Sequence, residues 1–359
     1  MSVREAADLA DFDRVLQLVS SSFTGVTGTR LMSRFSTLRS LAPVLPIIIA
    51  VLTVAFAVFQ DPADVPLWAF PGSPTDSTVA DSASLHHVPN SAARFTLPQT
   101  VDRFAPPDWH PSGHPSMPEV VAHGRKPSLF ACAYCHLPNG MGRPENATLA
   151  GLPEGYIIAQ LAAFRDSTRR NPSPGWVPGN SMHAVAMNAT DAEIASAARY
   201  FSGLRFTPRA RVIETARIPR MRQAGFVYAH VPGGGTEPLG SRIVEGPPDF
   251  ERHELRDDGM TYIAYVPRGS IARGRSIATT GTNGLATACV TCHGPRLAGM
   301  GLVPPIAGRY PTYIVRQLLA LKSGARSTPA SQPMQAVVAR LSVEEMIAVA
   351  AYTASLGRR

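Results

Sequence analysis

The sequence predicts an all-α protein: two tandem copies of one small helical domain, preceded by an N-terminal transmembrane helix and joined by irregular connectors. Three observations carry this. An uncharged apolar run lies near the N-terminus, chemically distinctive residues recur at a constant offset, and Pro- and Gly-rich stretches fill the space between.

Of the 359 residues, 45% are hydrophobic and 17% charged, with 33 Pro and 29 Gly. That mixture allows packed cores of modest size with long irregular connections. The formal net charge is +8. Part of the excess lies in the first 40 residues, and no run of Lys and Arg interleaved with aromatics marks a nucleic-acid surface, so nucleic acid is not an expected partner.

The first element is the apolar one. Residues 1–40 form a basic segment with Arg30, Arg34 and Arg39, and residues 41–59 carry no charge. Nineteen residues approach the roughly 20 that a spanning helix needs. The basic flank belongs in the cytoplasm, so the expectation is a single-pass protein of the cytoplasmic membrane with its folded domains facing the periplasm. The alternative is a signal peptide cut after Ala55-Phe56-Ala57, which has the small-x-small form.

Residues 60–116 are punctuated by ten prolines and rich in Asp and Ser. Such a stretch reads as a tether with a reach of roughly 40 Å at about 5–6 Å × √n.

The repeat follows. At an offset of 157, Cys132, Cys135, His136, Ala150, Gly151, Tyr156, Ile157, Gln160 and Leu161 land on Cys289, Cys292, His293, Ala307, Gly308, Tyr313, Ile314, Gln317 and Leu318. At 152, after a five-residue gap, Met182, Tyr200 and Leu204 land on Met334, Tyr352 and Leu356. Two related domains are expected, 117–205 and 268–359. Each is predicted to hold a short helix before its cysteines (118–126, 270–278) and a middle helix from Glu154 or Pro311. A polar loop bearing a methionine then leads to a last helix from Thr190 or Ser342, capped with Glu193 or Glu345 three positions on. Residues 206–267, between the domains, read as an irregular connector with a few short strands, among them 262–266.

The four cysteines occur only as Cys132-x-x-Cys135-His136 and Cys289-x-x-Cys292-His293. Two thiols can add to the two vinyl groups of a haem while the adjacent imidazole reaches the iron, and C-x-x-C-H is read as a c-type attachment site. Zinc would need four ligands per ion, and each copy offers two cysteines with one awkwardly adjacent histidine. A thiol redox pair would not need the histidine twice. The sixth iron ligand is expected to be Met182 in the first copy and Met334 in the second, 46 and 41 residues after the histidines. A His/Met pair raises the potential and closes the iron to substrates. Met187 and His183 compete in the first copy, but Met187 maps onto Ala339. Met141 and Met300 read as packing residues.

With these residues in view, both copies resemble class I c-type cytochromes of the two-domain dihaem bacterial type. The resemblance rests on C-x-x-C-H, the Ala-Gly before a Tyr-containing helix with Gln160 or Gln317, the methionine, and a last helix bearing Tyr200 or Tyr352. It covers about half the chain. It implies two all-α cytochrome c-like haem domains in tandem, holding two covalently attached haem c groups. It also implies that a first-helix glycine, Gly124 or Gly274, lets the last helix's Tyr200 or Tyr352 approach closely. A proline after the cysteines supports the proximal histidine in that family; Pro304 or Pro305 fits in the second copy, whereas the first has Ala147-Thr148.

The expected function is that of an electron carrier, not an enzyme, passing electrons one at a time between redox proteins. Its candidate partners are a cytochrome bc complex, a terminal oxidase or a periplasmic dehydrogenase. The alternatives are a dihaem peroxidase, which needs an open iron and acid–base groups, and the cytochrome subunit of a dehydrogenase complex.

Overall fold

The structure, a computed structural model, describes residues 65–72, 83–282, 284 and 286–357. Among these, the helices before the connector are α1 (Leu97–Thr100), α2 (Glu119–Ala122), α3 (Cys132–His136), α4 (Glu154–Arg165), α5 (Val177–Asn188) and α6 (Asp191–Gly203). After it come α8 (Ser270–Thr280), α9 (Val290–His293), α10 (Pro311–Lys322), α11 (Gln332–Val338) and α12 (Val343–Ser355), α7 lying within the connector.

Local chemistry fixes the last helix of each set. Thr190 accepts from the Glu193 amide while Glu193 accepts from the Thr190 amide, and Ser342 and Glu345 repeat the exchange, so two orphan donors are satisfied at each start. On α6, Ile194, Ala198 and Phe201 are buried together, one face at helical spacing. The corresponding α12 is buried from Met346 to Ala351 because α8, α10 and the strand Ala210–Glu214 all pack on it. A Cβ on Gly274 of α8 would lie 1.9 Å from the Ala348 carbonyl and 2.9 Å from Tyr352 Cβ, so glycine sets the α8–α12 approach. Gly124 has no such role: it ends α2 at φ 64° and faces the 129–131 backbone.

The segments that carry Met182 and Met334 are helical, in α5 and α11, where loops were expected. Pro178 and Pro333 sit in the first turn of each, where a missing amide costs nothing.

The all-α expectation needs correction. Between the helical domains lie seven strands: β1 (Ala210–Glu214), β2 (Arg217–Pro219), β3 (Met221–Ala224), β4 (Val227–His230), β5 (Thr236–Pro238), β6 (Val244–Gly246) and β7 (Tyr262–Val266), with α7 (Phe250–Glu254) between the last two. One sheet has the order β1-β7-β6, while β2 pairs β5 and β3 pairs β4. β1 and β7 are parallel, with Ala210 opposite Tyr262 and Glu214 opposite Val266. Along β7, Tyr262, Ala264 and Val266 are buried and alternate with half-buried Ile263 and Tyr265, the two-residue period of a strand.

The expected N-terminal transmembrane helix is also corrected, and with it the single-pass membrane location. No helix among the described residues is long and apolar enough to cross a membrane, and residues 41–59, on which that expectation rested, lie outside the described residues.

The proline-rich stretch makes specific contacts. Ala69 and Phe70 enter the core of the second domain, and Arg316 donates to the Ala69 carbonyl at 3.0 Å. Further on, Trp109 is buried against Val88 and Leu255 and donates its indole proton to the Leu255 carbonyl at 2.7 Å.

Candidate haem sites

Each C-x-x-C-H lies on a single helical turn, α3 or α9. His136 donates Nδ1–H to the Ala147 carbonyl at 2.8 Å, and His293 to the Pro304 carbonyl at 2.9 Å. Both acceptors lie eleven residues downstream. The support is a backbone carbonyl, so Ala147 provides it as well as Pro304 does. Burial pulls both imidazoles below their usual pKa, which keeps them neutral with Nε2 free to accept a metal. The residue after each histidine has a positive φ: Gly294 at 74° and, in the first copy, Leu137 at 64°, a conformation that side chains rarely adopt. Burial pushes the Cys132 thiol up to about 12 and the Cys289 thiol up to about 11, opposite to the lowered value of a reactive thiol redox pair.

In the first domain these groups wall a cavity of about 430 Å³, with Cys132, Cys135 and His136 on one element, Ile157 and Leu161 on α4, and Met182 on α5. The cavity extends to a polar margin formed by Gln160 and Arg169 with Tyr313 and Gln317 of the second domain. Such walls suit a flat, largely apolar macrocycle with acidic groups at one edge. In the second domain Met334 and Cys289 are both partly buried and pack against the same core cluster.

The competing ligands lie elsewhere. His183 is exposed and its Nδ1–H meets the Phe164 carbonyl at 2.8 Å. Met187 is 56% exposed, and Met141 is buried in the first core.

The domains meet through two arginines that were not singled out from the sequence. Arg169 donates to Gln160 (2.8 Å), Tyr313 (3.2 Å) and Gln317 (2.9 Å). Arg326 donates to Gln317 (3.4 Å), Tyr156 (2.9 Å) and Gln160 (2.9 Å). Arg169 maps onto Arg326 at the repeat offset of 157, so extending the comparison past Leu161 would have found the pair. Backbone pairing of Arg170 with Ala325 and of Ser327 with Thr168 closes the seam.

Two neutral imidazoles, each one step from a pair of thiols, define an attached-haem electron-transfer protein. Residues 121–205 and 271–357 each match the cytochrome c family model, so the chain carries two cytochrome c domains, the kind that holds covalently bound haem c. The chain is similar to the thiosulfate dehydrogenase electron acceptor of Thiomonas intermedia, 28% identical over 234 residues, 64% of this chain and 80% of the relative. It is also similar to cytochrome c4 of Azotobacter vinelandii, 23% identical over 234 residues, 63% of this chain and 84% of the relative. Among solved structures, a thiosulfate dehydrogenase from Marichromatium purpuratum matches with a TM-score of 0.43 and 28% identity. That match covers 65% of this chain and only 38% of the other. The protein is thus a c-type cytochrome, and its function is to carry electrons.

Proposed function

We propose that the chain holds two haem c groups, one joined to Cys132 and Cys135 with His136 as axial ligand, the other to Cys289 and Cys292 with His293. Met182 and Met334 complete the two coordination spheres. The observation that carries this reading is the shared architecture of the two sites: the same turn, the same Nδ1–carbonyl hydrogen bond at the same offset, and in the first domain a cavity bounded by both the imidazole and the Met182 side. When bound, the haem supplies a reversible one-electron couple. The protein's own work is to fix each imidazole, exclude water with the apolar walls, and meet the haem carboxylates at the polar margin with Arg169 and its glutamine neighbours. A methionine ligand in each domain leaves neither iron free for peroxide chemistry, which disfavours the peroxidase alternative.

The electron donor we propose is a dehydrogenase, and the chain serves as its cytochrome partner. Two of the relatives are themselves electron acceptors of thiosulfate dehydrogenase. Stopped-flow mixing of the oxidised holoprotein with a purified thiosulfate dehydrogenase and thiosulfate tests the donor; reduction no faster than without the enzyme rejects it. For the ligands, the weak near-infrared band of a methionine–iron bond is followed in the oxidised protein. Each of Met182→Ala and Met334→Ala is expected to remove about half of it, and a band that survives either substitution in full rejects that methionine.

A further inference from the structure

The connector places a buried cation against one haem-attachment turn and not the other. Arg256 follows α7 with φ 57°, a left-handed conformation that non-glycine residues rarely adopt. Its side chain is held at three points. Nε donates to the Thr100 carbonyl at 2.9 Å, Nη1 donates to the Tyr134 carbonyl at 2.7 Å, and the guanidinium lies 3.7 Å over the Tyr134 ring. Tyr134 stands between Cys132 and Cys135, and Arg256 lines the same cavity as both. The residue is 8% exposed. Burial pulls its pKa down to about 10, so it remains charged at neutral pH. No carboxylate forms an ion pair with it among the described residues, whereas its neighbour Arg143 is neutralised by Glu145 at 2.9 Å.

The second repeat has no counterpart. Tyr134 maps onto exposed Thr291, Arg143 onto Met300 and Glu145 onto Leu302, the last two 51% and 68% exposed. Cys292 is exposed where Cys135 is half-buried. Whatever field acts at exposed α9 positions is screened by water more strongly than the field at half-buried Tyr134 and Cys135.

We infer that Arg256 sets the reduction potential of the first haem site above that of the second, making the first domain the resting place of a single electron. The inference rests on the two-haem reading above. A fixed buried charge of +1 favours the redox state with the lower positive charge, which is the ferrous one; with the same His/Met ligands in both domains, burial and local charge are what distinguish the two sites. Arg256 is a positioning and field residue: it touches the attachment turn, not the iron.

The test is an optical redox titration of the holoprotein, with the haems per chain counted chemically. A count of one rejects the two-haem reading itself, separately from this inference. With two haems bound, the wild-type midpoints are assigned to domains by Met182→Ala and Met334→Ala, each of which displaces its own transition. The first domain is expected to have the higher midpoint; a higher midpoint in the second overturns the inference without any change at Arg256. Arg256→Gln is expected to shift the first-domain couple about tenfold toward the oxidised form, or about 59 mV for one electron, and to leave the second in place. Arg256→Lys, which keeps the charge and loses the planar fork, is expected to retain most of the effect. An Arg256→Gln protein with two haems and an unmoved first transition overturns the inference, as does a shift confined to the second.

Discussion

At the scale of single residues, the clearest constraint is Gly274. Adding a methyl there sets it 1.9 Å from the Ala348 carbonyl, and two backbones must separate to admit it. Gly274→Ala is expected to destabilise the second domain by about 1–3 kcal/mol, the usual cost of overpacking, read as a lower urea midpoint with an unchanged slope. The same residue type was expected to act alike in the first repeat, and it does not. Gly124 caps a one-turn helix: α2 ends at Ala122, and the Arg125–Leu129 bridge turns the chain away at once. A local spacing such as C-x-x-C-H is fully written in the sequence, and Cys132, Cys135, His136 and Met182 do line one cavity. Arg256 was not legible: nothing near it in the chain announces a target more than a hundred residues away.

At the scale of elements, the capping boxes made the last helix of each domain readable in advance. Thr190→Ala and Ser342→Ala are each expected to cost about 1 kcal/mol, measurable by thermal or chemical denaturation. The polar, proline- and serine-rich sequence around each methionine suggests a loop; both prolines fall where a helix tolerates them. The seam between β6 and α10 holds a further test. Glu245 is buried, accepts from the Thr312 amide at 3.1 Å and from the Thr312 hydroxyl, and has its other oxygen unpaired. Burial pushes its pKa up to about 7, the Thr312 donors and Arg316 pulling it partly back and Glu145 pushing it further up. Here the folded state binds the proton more tightly than the unfolded chain. Stability is therefore greatest below the unfolded value near 4.5, falls as pH rises toward 7, and is level beyond, a loss on the order of 3 kcal/mol. Glu245→Gln is expected to flatten this slope between pH 5 and 8; a slope unchanged from wild type rejects the assignment.

At the scale of the whole molecule, the domain seam is held by neutral acceptors around two guanidinium groups. Tyr156, Gln160, Tyr313 and Gln317 receive Arg169 and Arg326 crosswise, and losing both arginines leaves four half-buried polar groups short of partners. The double variant Arg169→Ala/Arg326→Ala is expected to unfold in two calorimetric steps where the wild type unfolds in one. Pairing across such distances was only partly visible in advance. The repeat offset marked the two domains, but the parallel union of β1 with β7 joins strands about fifty residues apart, and alternation within either strand does not say what lies beside it.

That union has a topological consequence. Ala210 lies opposite Tyr262, and the Tyr262 amide donates to the Arg209 carbonyl at 2.7 Å. The chain therefore departs at 209 and comes back to the same spot at 262, one strand spacing of about 4.8 Å away. Everything between is a closed detour, removable by splicing 209 to 262 without stretching the path from one domain to the other. The two domains meet at their own seam, and the detour touches each of them as well, with Arg256 on the first attachment turn and Glu245 on α10.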